Sequence, residues 1–162
     1  MEGRVEHSVM RLGSDALGSD GSIAHRHTHL GANFSPALRW VRPPDAARSF
    51  ALFCQDHDVR RARWVHWVMY RIPAGRRALP EGIPSVEHVP GIGWQGRNDF
   101  GSIGYGGPRP VDDRVHRYVF TLWALAQDVP LPGGLAAHEV EDALGRHVLA
   151  RAELIGLYRR EP

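Results

Sequence analysis

Four side chains in this sequence have types and positions that allow joint chemistry. Asp56 closes an apolar run, His66 lies inside the next one, and His116 and Tyr118 open a third. A glycine- and proline-rich stretch, NDFGSIGYGGPRP, leads into the last of these. One carboxylate, two imidazoles and a phenol make a mixed set of acceptors and donors. Such a set suits an anion carrying its own proton. The histidines and tyrosine donate to it, while Asp56 accepts from it or fixes a histidine tautomer. The glycines at 104, 106 and 107 would let backbone N–H groups approach the same ligand. Spacing alone leaves the plainer alternative open, in which both histidines are satisfied strand residues and Asp56 caps a turn.

Strands must position these groups. FALFCQ, residues 50–55, is an apolar run suited to a buried strand. WVHWVMYRI, residues 64–72, alternates, with Trp64, His66, Val68 and Tyr70 on one face and Val65, Trp67 and Met69 on the other. Both faces are apolar, which predicts a central strand between covering layers. YVFTLWALA, residues 118–126, is rich in aromatic and β-branched residues and reads as another strand. The segment 73–115 has little period; it is expected to be functional or braced by short strands. Residues 22–32 read as a strand and 135–151 as a helix, with Val140, Leu144 and Val148 at four-residue spacing and Gly145 as a possible break. Residues 1–21 are expected to be loosely ordered apart from a short edge strand at 9–12, ahead of one domain over 22–162. Many strands followed by one helical region predict a mostly β protein, an antiparallel β-sandwich with a C-terminal helical segment.

Composition narrows the function. All 20 basic residues are arginine and are interleaved with 18 acids, so the net charge is only +2. No dense basic run supports nucleic-acid binding. Cys54 is the sole cysteine, which excludes an internal disulfide and fits a reducing, cytoplasmic setting. No apolar run is long enough to span a membrane, and the first residues have no signal-peptide pattern.

Five blocks, in order, resemble the phosphatidylethanolamine-binding protein family, which includes Raf kinase inhibitor protein and small bacterial relatives. They are NFSPALRW at 33–40, the strand at 49–58, WVHWVMYRIP at 64–73, the stretch 98–118 with GYGGP and HRY, and 145–158 at the C-terminus. The resemblance implies a β-sandwich with an anion pocket at one end, open to phosphate-like groups and phospholipid head groups. It implies a binding role without turnover, with inhibition of a kinase or protease possible, and a homodimer as in many bacterial relatives. By motif it places Asp56, His66, His116 and Tyr118 in the pocket, lined by Gly107 and Pro108.

Departures bear on that pocket. Where the family carries Asp-Pro-Asp-Ala-Pro, this chain has Asp56-His57-Asp58-Val59-Arg60, without either proline. Arg71 replaces a family asparagine. Asp112 and Asp113 are added acids that would weaken anion binding if turned inward; they are expected to face solvent. Three further groups have ordinary explanations. His25, His27 and His29 alternate and on a strand would share one side, an arrangement suited to metal ligation, yet no acid or cysteine accompanies them and the sequence points to no metal or cofactor. A hydrolase using the His/Asp set would need Ser35 or Ser102 as nucleophile, without any G-x-S-x-G elbow. Arg60, Arg61 and Arg63 make a basic cluster able to attract phosphate, and Trp64 is placed to line a pocket mouth.

Overall fold

Strands that are apolar on both faces must be covered on both sides, and that requirement organises the chain. The computed structural model describes residues 9–162. In chain order the strands are β1 (Arg11–Gly13), β2 (Leu38–Val41), β3 (Ser49–Asp56), β4 (Trp64–Pro73), β5 (Ala78–Leu79), β6 (His88–Val89), β7 (Gly93–Gln95), β8 (His116–Leu125) and β9 (Val148–Tyr158). One helix, α1 (Ala137–Leu144), separates β8 from β9. The strands form a three-stranded sheet, β1-β2-β5, and a six-stranded sheet, β6-β7-β4-β3-β8-β9. All ladders are antiparallel.

The small sheet covers one face of the large one. Leu38 and Trp40 of β2 pack with Phe50, Leu52 and Cys54 of β3, Trp67 and Met69 of β4, and Phe120 and Leu122 of β8. The other face carries Ala51, Phe53, Val65, Val68 and Tyr70, covered by Val140 and Leu144 of α1. β3 and β4 therefore lie in the middle of the domain, as their two-sided apolar pattern predicts. The segment 73–115 is braced by the short strands β5, β6 and β7. Among the described residues no helix is long and apolar enough to cross a membrane.

The C-terminal region differs from the predicted helix over 135–151. Val140 and Leu144 do bury one helical face, and Glu139 reaches back to accept from the Ala136 N–H at 2.8 Å. The helix then stops at Gly145, and after a 3-10 turn (Gly145–His147) the chain becomes β9. β8 would otherwise end the sheet with an open edge. β9 pairs along it from His116 opposite Tyr158 to Leu125 opposite Val148. Val148 sits four residues from Leu144 and so mimics a further helical turn.

The expected strand at 22–32 is a 3-10 turn at His25–His27. Successive residues there rotate by about a third of a turn, so alternate histidines no longer share a side. His27 is buried with Nδ1 2.8 Å from the Phe34 carbonyl, while His25 is exposed. Near the N-terminus, Arg11–Gly13 pairs with β2, close to the edge strand expected at 9–12, and Met10 and Leu12 are buried in the core. Residues 14–21 are not loose either, since Leu17 bridges Ile23 and packs against the core and the Gly18 N–H donates to the Ser22 carbonyl. Residues 1–8 lie outside the described residues.

Candidate functional site

Alternation along β3 and β8 sets most of the site. Phe50, Leu52 and Cys54 point into the core between the sheets, so Asp56, two residues on, points to the same side at the strand end. On β8, Tyr118, Phe120 and Leu122 share that core, and His116 precedes them by one pleat. Asp56 stands opposite Tyr118 in the ladder. Its carboxylate Oδ2 is 2.6 Å from Nδ1 of His116, and both side chains are almost wholly buried.

His66 arrives by a different device. Cys54 stands opposite Trp67 and Gln55 opposite Val65, so His66 is an extra residue in β4. This β-bulge turns its ring toward Asp56, whereas Val65, Val68 and Tyr70 face α1. Simple alternation, which placed His66 on the face of Val68 and Tyr70, does not hold there. Asp56, His66 and His116 consequently line one cavity of about 580 Å³. Val59, Trp64, Phe100, Pro110 and Val111 supply its apolar walls, and Arg60 and Arg109 its cationic ones. Among the described residues neither arginine forms an ion pair.

The two histidines have different protonation states, dictated by their partners. His66 Nδ1 is 2.5 Å from the Gly106 carbonyl, which can only accept, so Nδ1 carries the proton. Burial lowers the pKa of His66, against smaller opposing effects of that carbonyl and Asp56. The neutral ring therefore presents a bare Nε2 lone pair to the cavity. His116 is held at both nitrogens by carboxylates, Nδ1 by Asp56 and Nε2 by Asp112 Oδ1 at 2.9 Å. Carboxylates accept, so both nitrogens carry protons. Burial works against that charge, but Asp56 and Asp112 outweigh it and raise the pKa above its usual value.

Tyr118 backs this pair without reaching the cavity. Its ring lies 5.1 Å from that of His66, edge-on, and 6.4 Å from that of His116. Among the described residues its buried hydroxyl has no hydrogen-bond partner, and burial together with Asp56 pushes the phenol pKa up. Gly107 and Pro108 also stand behind the wall rather than in it. The Gly107 N–H donates to Asn33 Oδ1 at 2.7 Å, and a Cβ there would meet the His27 carbonyl oxygen at 2.1 Å. The Gly106 N–H donates to the His66 carbonyl and the Pro108 carbonyl accepts from the His29 N–H. The loop's amides thus hold the scaffold; at Gly106 and Gly107 they are not free for a ligand, contrary to the expectation from the glycines.

The wall without prolines keeps the cavity open. The Asp58 N–H donates to Asp56 Oδ1 at 2.8 Å, closing a turn that the side chain itself supports. The Asp58 carboxylate grips the Arg117 guanidinium through two 3.0 Å hydrogen bonds and accepts from its N–H at 2.8 Å. These contacts hold the Asp58 pKa down at about 2.

Sequence reading missed two participants. Phe100 meets His66 at 5.3 Å and Trp64 at 5.8 Å between ring centroids. Asn98 Oδ1 accepts from the N–H groups of Phe100 and Ser102, and Asp99 accepts from Val65, which fastens this loop to β4. The Asn-Asp-Phe-Gly string was the available signal. The second is Asp112, expected to face solvent, which turns inward onto His116 because it lies one short loop before that residue. Asp113 does face out, toward Arg160 at 3.0 Å. Ser35 and Ser102, considered as nucleophiles, do not line the cavity. Ser35 instead accepts from the Ile83 N–H. Cys54 is buried in the core with its thiol pKa pushed up by desolvation.

Comparison with known proteins agrees with this architecture. Residues 13–159 match the family model described as phosphatidylethanolamine-binding protein. A UPF0098 protein of Methanothermobacter thermautotrophicus is 42% identical over 151 residues, covering 93% of this chain and 99% of its own length. The UPF0098 protein YbhB of Escherichia coli is 34% identical, covering 92% and 99%. The crystal structure of E. coli YbcL, described as a new member of the mammalian PEBP family, superposes with a TM-score of 0.86 at 29% identity, covering 95% of this chain and 100% of that one. With most of its length matched, this chain belongs to the phosphatidylethanolamine-binding protein family.

Proposed function

We propose that this protein binds a small phosphate-like anion, free or as a head group, between His66 and His116, without turnover. One observation carries the proposal: a single cavity presents a bare imidazole lone pair on His66 and a fixed imidazolium on His116. A singly protonated phosphate or phosphomonoester complements both. Its P–OH donates to His66 Nε2, and a P–O⁻ oxygen accepts from His116 Nε2–H. Arg60 and Arg109 attract the anion toward the mouth. Trp64, Phe100 and Val59 fit the carbon portion of an ester. The volume lies in the range of about 300–1,000 Å³ typical of small-molecule pockets. No serine or cysteine lines the cavity to act as a nucleophile. Nothing in the pocket points to a kinase or protease as partner.

The test is titration of phosphate and of phosphoethanolamine, followed through the histidine side-chain NMR signals. Both His66 and His116 should shift at millimolar ligand, and His66→Ala should abolish saturation. Silence of both rings at those concentrations refutes the reading.

A further inference from the structure

Asp112 stands where an incoming anion would bind. Its Oδ1 is 2.9 Å from Nε2 of His116, the one donor of that ring that faces the cavity. The other nitrogen is committed to Asp56, so His116 has no second N–H to offer. A ligand oxygen and the Asp112 carboxylate therefore compete for the same proton. We infer that Asp112 is a built-in competitor, and that an anion enters by taking its place on His116 as residues 111–115 swing outward beyond the buried Pro110. The inference rests on the anion-binding function proposed above.

The loop is constructed to yield. Among the described residues, none of the N–H groups from 111 to 115 forms a backbone–backbone hydrogen bond. Val111 is 89% exposed. What holds residues 111–115 is a set of side-chain contacts: Asp112 to His116 and to the Arg114 N–H at 3.0 Å, Arg114 to the Asp58 carbonyl at 3.2 Å, and Asp113 to Arg160 at 3.0 Å. Segments held this way open at low cost. The exchange leaves no group stranded. Asp112 keeps Arg114, with which it shares contacts of 3.0 and 3.2 Å, and His116 exchanges a carboxylate oxygen for a phosphate oxygen. Asp56, the Tyr118 ring and Asp58 also neighbour His116, yet they sit on the strand side or in the Arg117 pair and need not move. Affinity is then reduced by the fraction of molecules in which Asp112 occupies the site.

The experiment compares wild type, Asp112→Ala, Asp112→Asn and, as a control, Asp113→Asn. First the His116 ring ¹⁵N signals are recorded without ligand, then inorganic phosphate is titrated. The Nε2 signal should move in both Asp112 variants and stay in Asp113→Asn. Phosphate should bind the Asp112 variants at least about five-fold more tightly than wild type. An unmoved Nε2 signal shows that the contact does not form, which overturns the inference. A moved signal with unchanged or weaker binding overturns it too, while the anion-binding function stands. If His116 reports the altered contact and no protein binds phosphate, the anion-binding function itself fails and the competitor role falls with it.

Discussion

Replacing Asp56 by asparagine tests the electrostatic centre of the site. The substitution preserves side-chain shape and an oxygen for the Asp58 N–H, which Asp56 Oδ1 accepts at 2.8 Å. It removes the negative charge 2.6 Å from His116 in a place where both side chains are almost wholly buried. Stripping one partner from a sealed ion pair costs about 3–5 kcal/mol. His116 is not fully sealed, because it borders the open cavity and retains Asp112. The expected loss is therefore about 2 kcal/mol. For a chain of this size that lowers Tm by roughly 4–8 °C. The effect depends on pH with a definite sign. The folded-state pKa of His116 lies above its usual value, so the pair's contribution is complete below pH about 6.5 and is lost as pH rises through the folded pKa. Thermal melts of both proteins at pH 6 and pH 9, with an NMR titration of His116, measure this. The gap in Tm should be larger at pH 6. Equal gaps at both pH values, or a wild-type His116 titrating at or below about 6.5, would refute the reasoning.

Two further outcomes follow from the walls of the site. Arg117→Gln should release Asp58 from about 2 toward the ordinary carboxylate value near 3.9, read by carboxyl ¹³C NMR. Because the Asp58 pKa is depressed, its stabilisation is present above about pH 4 and disappears as pH falls through about 2, so the variant should lose less stability in acid than wild type. The pair is partly exposed, so its removal at neutral pH should change Tm only slightly. Gly107→Ala places a Cβ 2.1 Å from the His27 carbonyl oxygen and should cost about 1–3 kcal/mol by thermal melting. A neutral effect there would show that the loop is looser than described.

Where local pattern and tertiary need agreed, the fold was legible. β3, β4 and β8 are long, apolar and β-branched or aromatic, and each lies where its sequence predicts. β9 was hidden because Val140, Leu144 and Val148 keep a four-residue spacing across a helix end. What decided it was the unpaired edge of β8, a property of the assembled sheet. His66 shows the same limit within a strand. A single added residue at His66 puts Val65 and Trp67 on opposite faces, and no residue type in WVHWV announces the insertion. The alternating histidines 25, 27 and 29 failed for the opposite reason, since a 3-10 turn scatters a spacing that only a strand would align.

By itself the sequence determined the antiparallel β character, the central strands, the family blocks and the residues at the heart of the site. Those features depend on side-chain type and short-range period, which the chain carries without folding. Tertiary structure alone decided that the bulge brings His66 to Asp56 and His116, and that Gly107 and Pro108 stand behind the wall. It also decided that Tyr118 stays clear of the cavity and that Asp112 turns inward onto His116. Each of these turns on a register or an approach between segments remote in the chain, where a displacement of one residue or a few ångströms changes which groups meet.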